Sequence, residues 1–171
     1  MATGNSLLIL TPSASTPTAT GFATLDFLAG TSAPLECIPV LDFDDTIVEY
    51  ADWYCFMPRH YAAGGITITI VWSAAAATNN GIWAAAFRRV QDDTEDLDGA
   101  AHAYDFNTTG DITPPSVVGE VAYDTITFTD GADMDSVPAG EYFILRVRRP
   151  APSGTKITGD CSIHAIELKE T

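Results

Sequence analysis

Residues 41–74 read LDFDDTIVEYADWYCFMPRHYAAGGITITIVWSA. The stretch predicts a strand, a turn through Pro58 and Gly64-Gly65, and a second strand. In ITITIVW, Ile66, Ile68, Ile70 and Trp72 share one face, while Thr67, Thr69 and Val71 share the other. A period of two is expected of a strand that buries one side and wets the other. Ile, Val, Thr and Trp also suit a pleated, half-buried surface. Upstream, EYADWYCFMP places Tyr50, Tyr54 and Phe56 on one face and Trp53 on the other. A strand aromatic on both faces needs cover on both, from a second sheet or from a neighbouring chain.

Working outward, the same signal recurs. ATLDFLAG is a short apolar piece ended by Gly30. PLECIPVLDFD is a strand candidate in which Pro39 predicts either an edge position or a break. IWAAAFRRV turns Trp83, Ala85 and Phe87 to one side. Further strands are expected in VVGEVAYDTITFTD, in EYFILRVRRP (Phe143, Leu145 and Val147 against Ile144, Arg146 and Arg148) and in ITGDCSIHAIELKE. A short strand around His102 to Phe106 is a further candidate. The alanines 74–77 are too few and uncapped for a helix. Gly, Pro, Asn and Asp punctuate the intervals. About eight strands without a helix predict an all-β fold: a two-sheet antiparallel jelly-roll sandwich.

The 171 residues fit one domain, expected over 22–171. Residues 1–21, rich in Ser, Thr, Ala and Pro, read as an extended N-terminal arm. Its run Leu7, Leu8, Ile9 and Leu10 is either part of a floppy terminus or a sticky segment that holds a partner. Twenty-three acids against eight bases give a net charge of −15, which repels phosphate backbones and anionic membranes. Nucleic acid and membrane partners are therefore not expected. No basic, apolar leader and no run long enough to span a bilayer is visible. Cys37, Cys55 and Cys161 are odd in number and far apart, which predicts buried free thiols rather than a disulfide framework or a zinc site.

The motif DDT at 44–46, Tyr50, Ala51 and Trp53, CFMPRHY at 55–61 and GGITITIVW at 64–72 resembles a group of small all-β structural proteins of tailed bacteriophages. Matching positions include Asp45, Glu49, Phe56, Pro58, Tyr61, Gly64, Gly65 and Trp72. Phe87 with Arg89, the loop FTDGADMDS, and Ala139-Gly140-Glu141 leading into Leu145, Val147 and Arg149 add to it. The resemblance runs from Leu41 to Leu168 and rests on packing and turn positions. It implies a jelly-roll virion protein, assembled in the host cytoplasm as a homotrimer. Such a protein would decorate and cement the head by docking on the major capsid protein. The alternative it implies is a fibre or receptor-binding module that recognises a host-surface glycan. Leu7 to Leu10 are then the expected capsid-binding segment. Trp53, Tyr54, Met57, Tyr61 and Trp83 are candidates for subunit contacts or for core.

Reactive chemistry is not expected. The acids Asp42, Asp44, Asp45, Glu49 and Asp52, and Asp92, Asp93, Glu95, Asp96 and Asp98, cluster in sequence. Neighbours on a strand point to opposite faces, so sequence clusters do not make the facing carboxyl pair of a glycosidase. No GxSxG, HxH or HExxH spacing occurs, and His60, His102 and His164 are scattered. No cofactor is expected, apart from a structural calcium ion on Asp130, Asp133 and Asp135 or on Asp92, Asp96 and Asp98. Five of the eight bases lie on two strands, Arg88 and Arg89, then Arg146, Arg148 and Arg149. Such placement predicts either pairing with acids on adjacent strands or arginine forks at a subunit interface.

Overall fold

The structure is a computed structural model and describes residues 4–99, 102–151 and 154–171. Eleven strands follow in order: β1 (Ser6–Leu10), β2 (Thr16–Pro17), β3 (Thr24–Ala29), β4 (Cys37–Phe43), β5 (Tyr50–Phe56), β6 (Ile66–Ala74), β7 (Ala84–Val90), β8 (Asn107–Thr108), β9 (Ala122–Phe128), β10 (Tyr142–Arg148) and β11 (Cys161–Glu170). Among the described residues helix is confined to two 3-10 turns, Pro12–Ala14 and Ala132–Met134. One sheet runs β3-β4-β11-β6-β9, with β1 also on β11, and the other runs β2-β5-β10-β7-β8. Every strand pair is antiparallel. The eight expected strands are β3 to β7 and β9 to β11, and the all-β jelly-roll sandwich is the observed architecture.

The alternation read in the sequence builds the core. Ile66, Ile68, Ile70 and Trp72 of β6 turn inward against Trp53 of β5 and Phe143, Leu145 and Val147 of β10. Phe87 meets Phe128 edge-on at 4.9 Å, and Trp83 meets Trp72 at 5.9 Å and Phe43 at 5.1 Å. T-shaped contacts let the positive edge of one ring meet the negative face of another. At the turn into β6, Gly65 has φ +87°, and a Cβ there would lie 2.6 Å from the Phe128 carbonyl oxygen. Only glycine allows that approach.

Several expectations change. The arm is not free: β1 pairs with Ile166–Lys169 of β11, and Leu7 and Leu10 enter the core. Burial of Leu7 and Leu10, with Leu8 packed against the core, on an otherwise open stretch of β11 is what draws it in. Pro39 neither breaks β4 nor sits on an edge strand. The ladder with β11 covers only Leu41–Phe43, so at Pro39 that side is open and the missing N–H leaves no bond unmade. The strand expected over His102 to Phe106 is reduced to β8, just beyond it. Of the cysteines only Cys161 is buried; Cys55 is half-buried and Cys37 exposed. Burial pushes the thiols of Cys55 and Cys161 up to about 11. No helix among the described residues is long and apolar enough to cross a membrane.

Candidate functional site

The sandwich has one broad outer face that side chains do not simply wet, on β5, β10 and β7. The in-register pairs Tyr142↔Phe56, Ile144↔Tyr54, Arg146↔Asp52 and Arg148↔Tyr50 place these side chains on it. Its two halves differ. In one half, Arg146 grips Asp52 through two bonds of 2.7 Å, and donating to that carboxylate holds the guanidinium firmly in its charged form. Tyr104 lies over Arg146 at 4.1 Å, and Phe106 lies over Arg148 at 3.9 Å. The segment 102–106 therefore roofs this half through cation–π contacts. Glu95 fixes the preceding loop by accepting from Arg88 (2.7 Å) and pairing with His102 (2.8 Å).

The other half is bare. Tyr54 is 45% and Phe56 65% exposed. Tyr142 stands beside both, with its ring 5.1 Å from Phe56 and 6.3 Å from Tyr54. Burial pushes the Tyr142 phenol upward, with Tyr54 and Cys55 adding to the effect, so the ring carries its proton at neutral pH. Beside the rings runs an open groove of about 450 Å³, lined by Phe56, Tyr142, Val90, Leu97, Gln91, Asp92, Asp93, Glu95 and Glu141. The lining sets apolar Phe56, Val90 and Leu97 beside the acceptors of Gln91, Asp92, Asp93, Glu95 and Glu141. Glu141 is held there by Arg89 at 2.5 Å.

The structure separates the sequence candidates. Trp53, Met57 and Trp83 are core, each 1% exposed, and Tyr61 is buried too, so none of them presents a face to a neighbouring chain. Tyr54 alone of that group reaches the surface. Arg88, Arg89 and Arg146 pair within the chain with Glu95, Glu141 and Asp52, and Arg148 stacks on Phe106. Leu7 and Leu10 are core and Leu8 packs against it, leaving Ile9 exposed. The acids proposed for calcium are engaged singly. Tyr61 donates to Asp130, Thr129 and Asn107 to Asp133, and the Arg89 amide to Asp135. No group of three potential metal ligands occurs among the described residues. Tyr142 was missed by sequence reading, although its phase with Arg146 and Arg148 on β10 already placed it outside. The carboxyls that burial pushes upward, Glu49 and Asp160, stand elsewhere, near Arg149.

Solved structures share this architecture. The fold resembles that of carbohydrate-binding modules. The CBM22-1 xylan-binding domain from Paenibacillus barcinonensis Xyn10C aligns over 99% of this chain and 96% of its own, with a TM-score of 0.53 and 7% identity. The xylan-binding module CBM15 (TM-score 0.47, 9% identity, 96% of this chain and 97% of that) and the C-terminal CBM6 of LamC from Zobellia galactanivorans (0.45, 12%, 96% and 99%) are more distant. At these identities the likeness is one of fold. No protein-family model and no curated protein matches the sequence.

Proposed function

We propose that this protein is a non-catalytic glycan-binding module whose bare half-face on β5 and β10 takes a neutral polysaccharide. The observation that carries the reading is the ring group of exposed Tyr54 and Phe56 around half-buried Tyr142, beside a groove lined by carboxylates. Flat rings match the C–H faces of pyranoses, while rim carboxylates and the Gln91 amide accept from hydroxyls. Exposed aromatics grouped beside a groove mark an interaction surface rather than ordinary surface scatter. A xylan-binding domain with the same architecture makes xylan the first polysaccharide to try.

The motif resemblance to phage jelly-roll proteins would put such a module on a virion fibre, where host-surface glycans are what it meets. Capsid decoration is the weaker reading, because the segment expected to attach it is a strand of the sheet. Affinity electrophoresis in soluble xylan and other neutral polysaccharides, followed by titration calorimetry on any that retard the protein, tests the proposal. Tyr142→Ala and Phe56→Ala should each weaken binding by roughly tenfold, about 1.4 kcal/mol. Retardation unchanged in both variants, or none on any neutral glycan, would refute it.

A further inference from the structure

The β3–β4 hairpin stands out from the sandwich. All six residues of β3 are exposed, and Phe22, Leu25, Phe27, Leu28, Leu35 and Ile38 are six of the sixteen large apolar side chains that the described residues expose. One face of the hairpin continues the core. Leu25 is paired with buried Leu41 and Phe27 with Pro39, and a groove of about 190 Å³ opens between Phe22, Leu25, Leu41 and Ala51 at its root.

β3 is also a free edge, and its phase is fixed. The Gly30 amide donates to the Glu36 carbonyl, so Thr24, Asp26 and Leu28 direct their backbone groups at β4. Leu25, Phe27 and Ala29 direct theirs outward. The Phe27 amide accordingly meets only the neighbouring Asp26 carboxylate, at 2.7 Å. The opposite edge of the sheet is covered at its C-terminal end. On β9 the Thr127 carbonyl accepts from Asn107, and just past the strand the Thr129 amide is taken by Asp133. β3 carries no Lys, Pro or bulge, and Asp26 is its one guarding charge.

We infer that β3 pairs antiparallel with β3 of a second copy, about a twofold axis through Phe27, so that the six-stranded sheets of two chains become continuous. The register follows from the phase. Phe27 lies opposite Phe27 and Leu25 opposite Ala29, so the outward-facing groups of one copy meet those of the other. Asp26 falls opposite Leu28, and the two carboxylates do not meet head-on; each swings off the Phe27 amide as the partner strand replaces it. Such an isologous contact closes on itself instead of growing into a fibre. The hairpin carries three acids, Asp26, Glu36 and Asp42, of which only Asp26 lies on the pairing edge, so two chains of net −15 approach there at little electrostatic cost. Pairing along residues 25–29 satisfies the outward amides and carbonyls of both edges and sets the exposed Phe27 side chains of the two copies side by side.

Analytical ultracentrifugation of the full chain from about 1 to about 100 μM should detect a monomer–dimer equilibrium. Phe27→Lys should raise the dissociation constant at least about tenfold while leaving the circular dichroism melt unchanged. Tyr123→Lys, an equally exposed site on β9, should leave the dimer intact. A wild-type protein that stays monomeric or sediments as a trimer overturns the inference, as does a dimer indifferent to Phe27→Lys.

Discussion

Arg149 closes one end of the sandwich. Its guanidinium is buried and donates to the carbonyls of Phe43 (2.9 Å), Gly159 (2.9 Å) and Ile157 (3.0 Å). Those carbonyls belong to the end of β4 and the turn before β11, so one side chain ties together segments distant in sequence. The carboxyls of Asp44, Glu49 and Asp160 lie near enough to feel its charge and to balance it. Replacing it with an apolar side chain of similar length leaves three acceptors cut off from water. Arg149→Met should therefore cost at least about 3 kcal/mol in urea denaturation. Arg149→Lys should recover only part of that, because a point-like ammonium on a shorter reach cannot address three carbonyls in a planar fork. A midpoint unmoved in Arg149→Met would mean that water replaces the guanidinium there.

At the level of elements, β1 shows how the phase of a strand decides its role. Its ladder slips between Ser6 and Leu8, and the slip lets both Leu7 and Leu10, three apart, face the core while Ile9 remains 70% exposed. Leu10→Ala should thus destabilise the protein by about 2–3 kcal/mol, whereas Ile9→Ala should stay within about 0.5 kcal/mol. Equal effects in a urea titration would mean that β1 is a loosely held arm after all. The same feature marks the limit of what the sequence discloses. Strict alternation made the faces of β5, β6, β7 and β10 legible, since in those strands every second residue is core. In β11 a bulge between Ile163 and Ala165 puts Ile163 and Ile166 on the same side, and strict alternation cannot anticipate that. The site was legible by halves: Tyr54 and Phe56 were placed together by phase. Their meeting with Tyr142 depended on β5 and β10 being neighbours across eighty-odd intervening residues, which is a matter of topology. The arginine pairs were undecidable for the same reason.

For the molecule as a whole, the distribution of charge governs both stability and choice of ligand. Of eight basic residues, Arg88, Arg89 and Arg146 are in ion pairs and Arg149 is spent on carbonyls, so most of the twenty-three acids face solvent without a cation beside them. Folding gathers those acids closer than they stand in the extended chain, and their mutual repulsion works against the compact state. Salt shortens the range of that repulsion from about 30 Å at 0.01 M to about 3 Å at 1 M. Paired arginines pull the other way: Arg89–Glu141, the most exposed pair, contributes only about 0–1 kcal/mol, and the more buried Arg88–Glu95 and Arg146–Asp52 pairs are little screened by salt. Repulsion should win, and the melting temperature should rise by about 2–4 °C between 0.01 M and 0.5 M sodium chloride. The same field acts on ligands: a sulfated or uronate-rich glycan would meet Asp92, Asp93 and Glu141 at the groove, whereas an uncharged one would not. Heparin-like and alginate-like polymers should therefore fail to retard the protein at low salt, while retention by a neutral polysaccharide should be indifferent to salt. Tight binding of a polyanion would show that local pairing at the rim outweighs the net charge, and the assignment of a neutral ligand would fall with it.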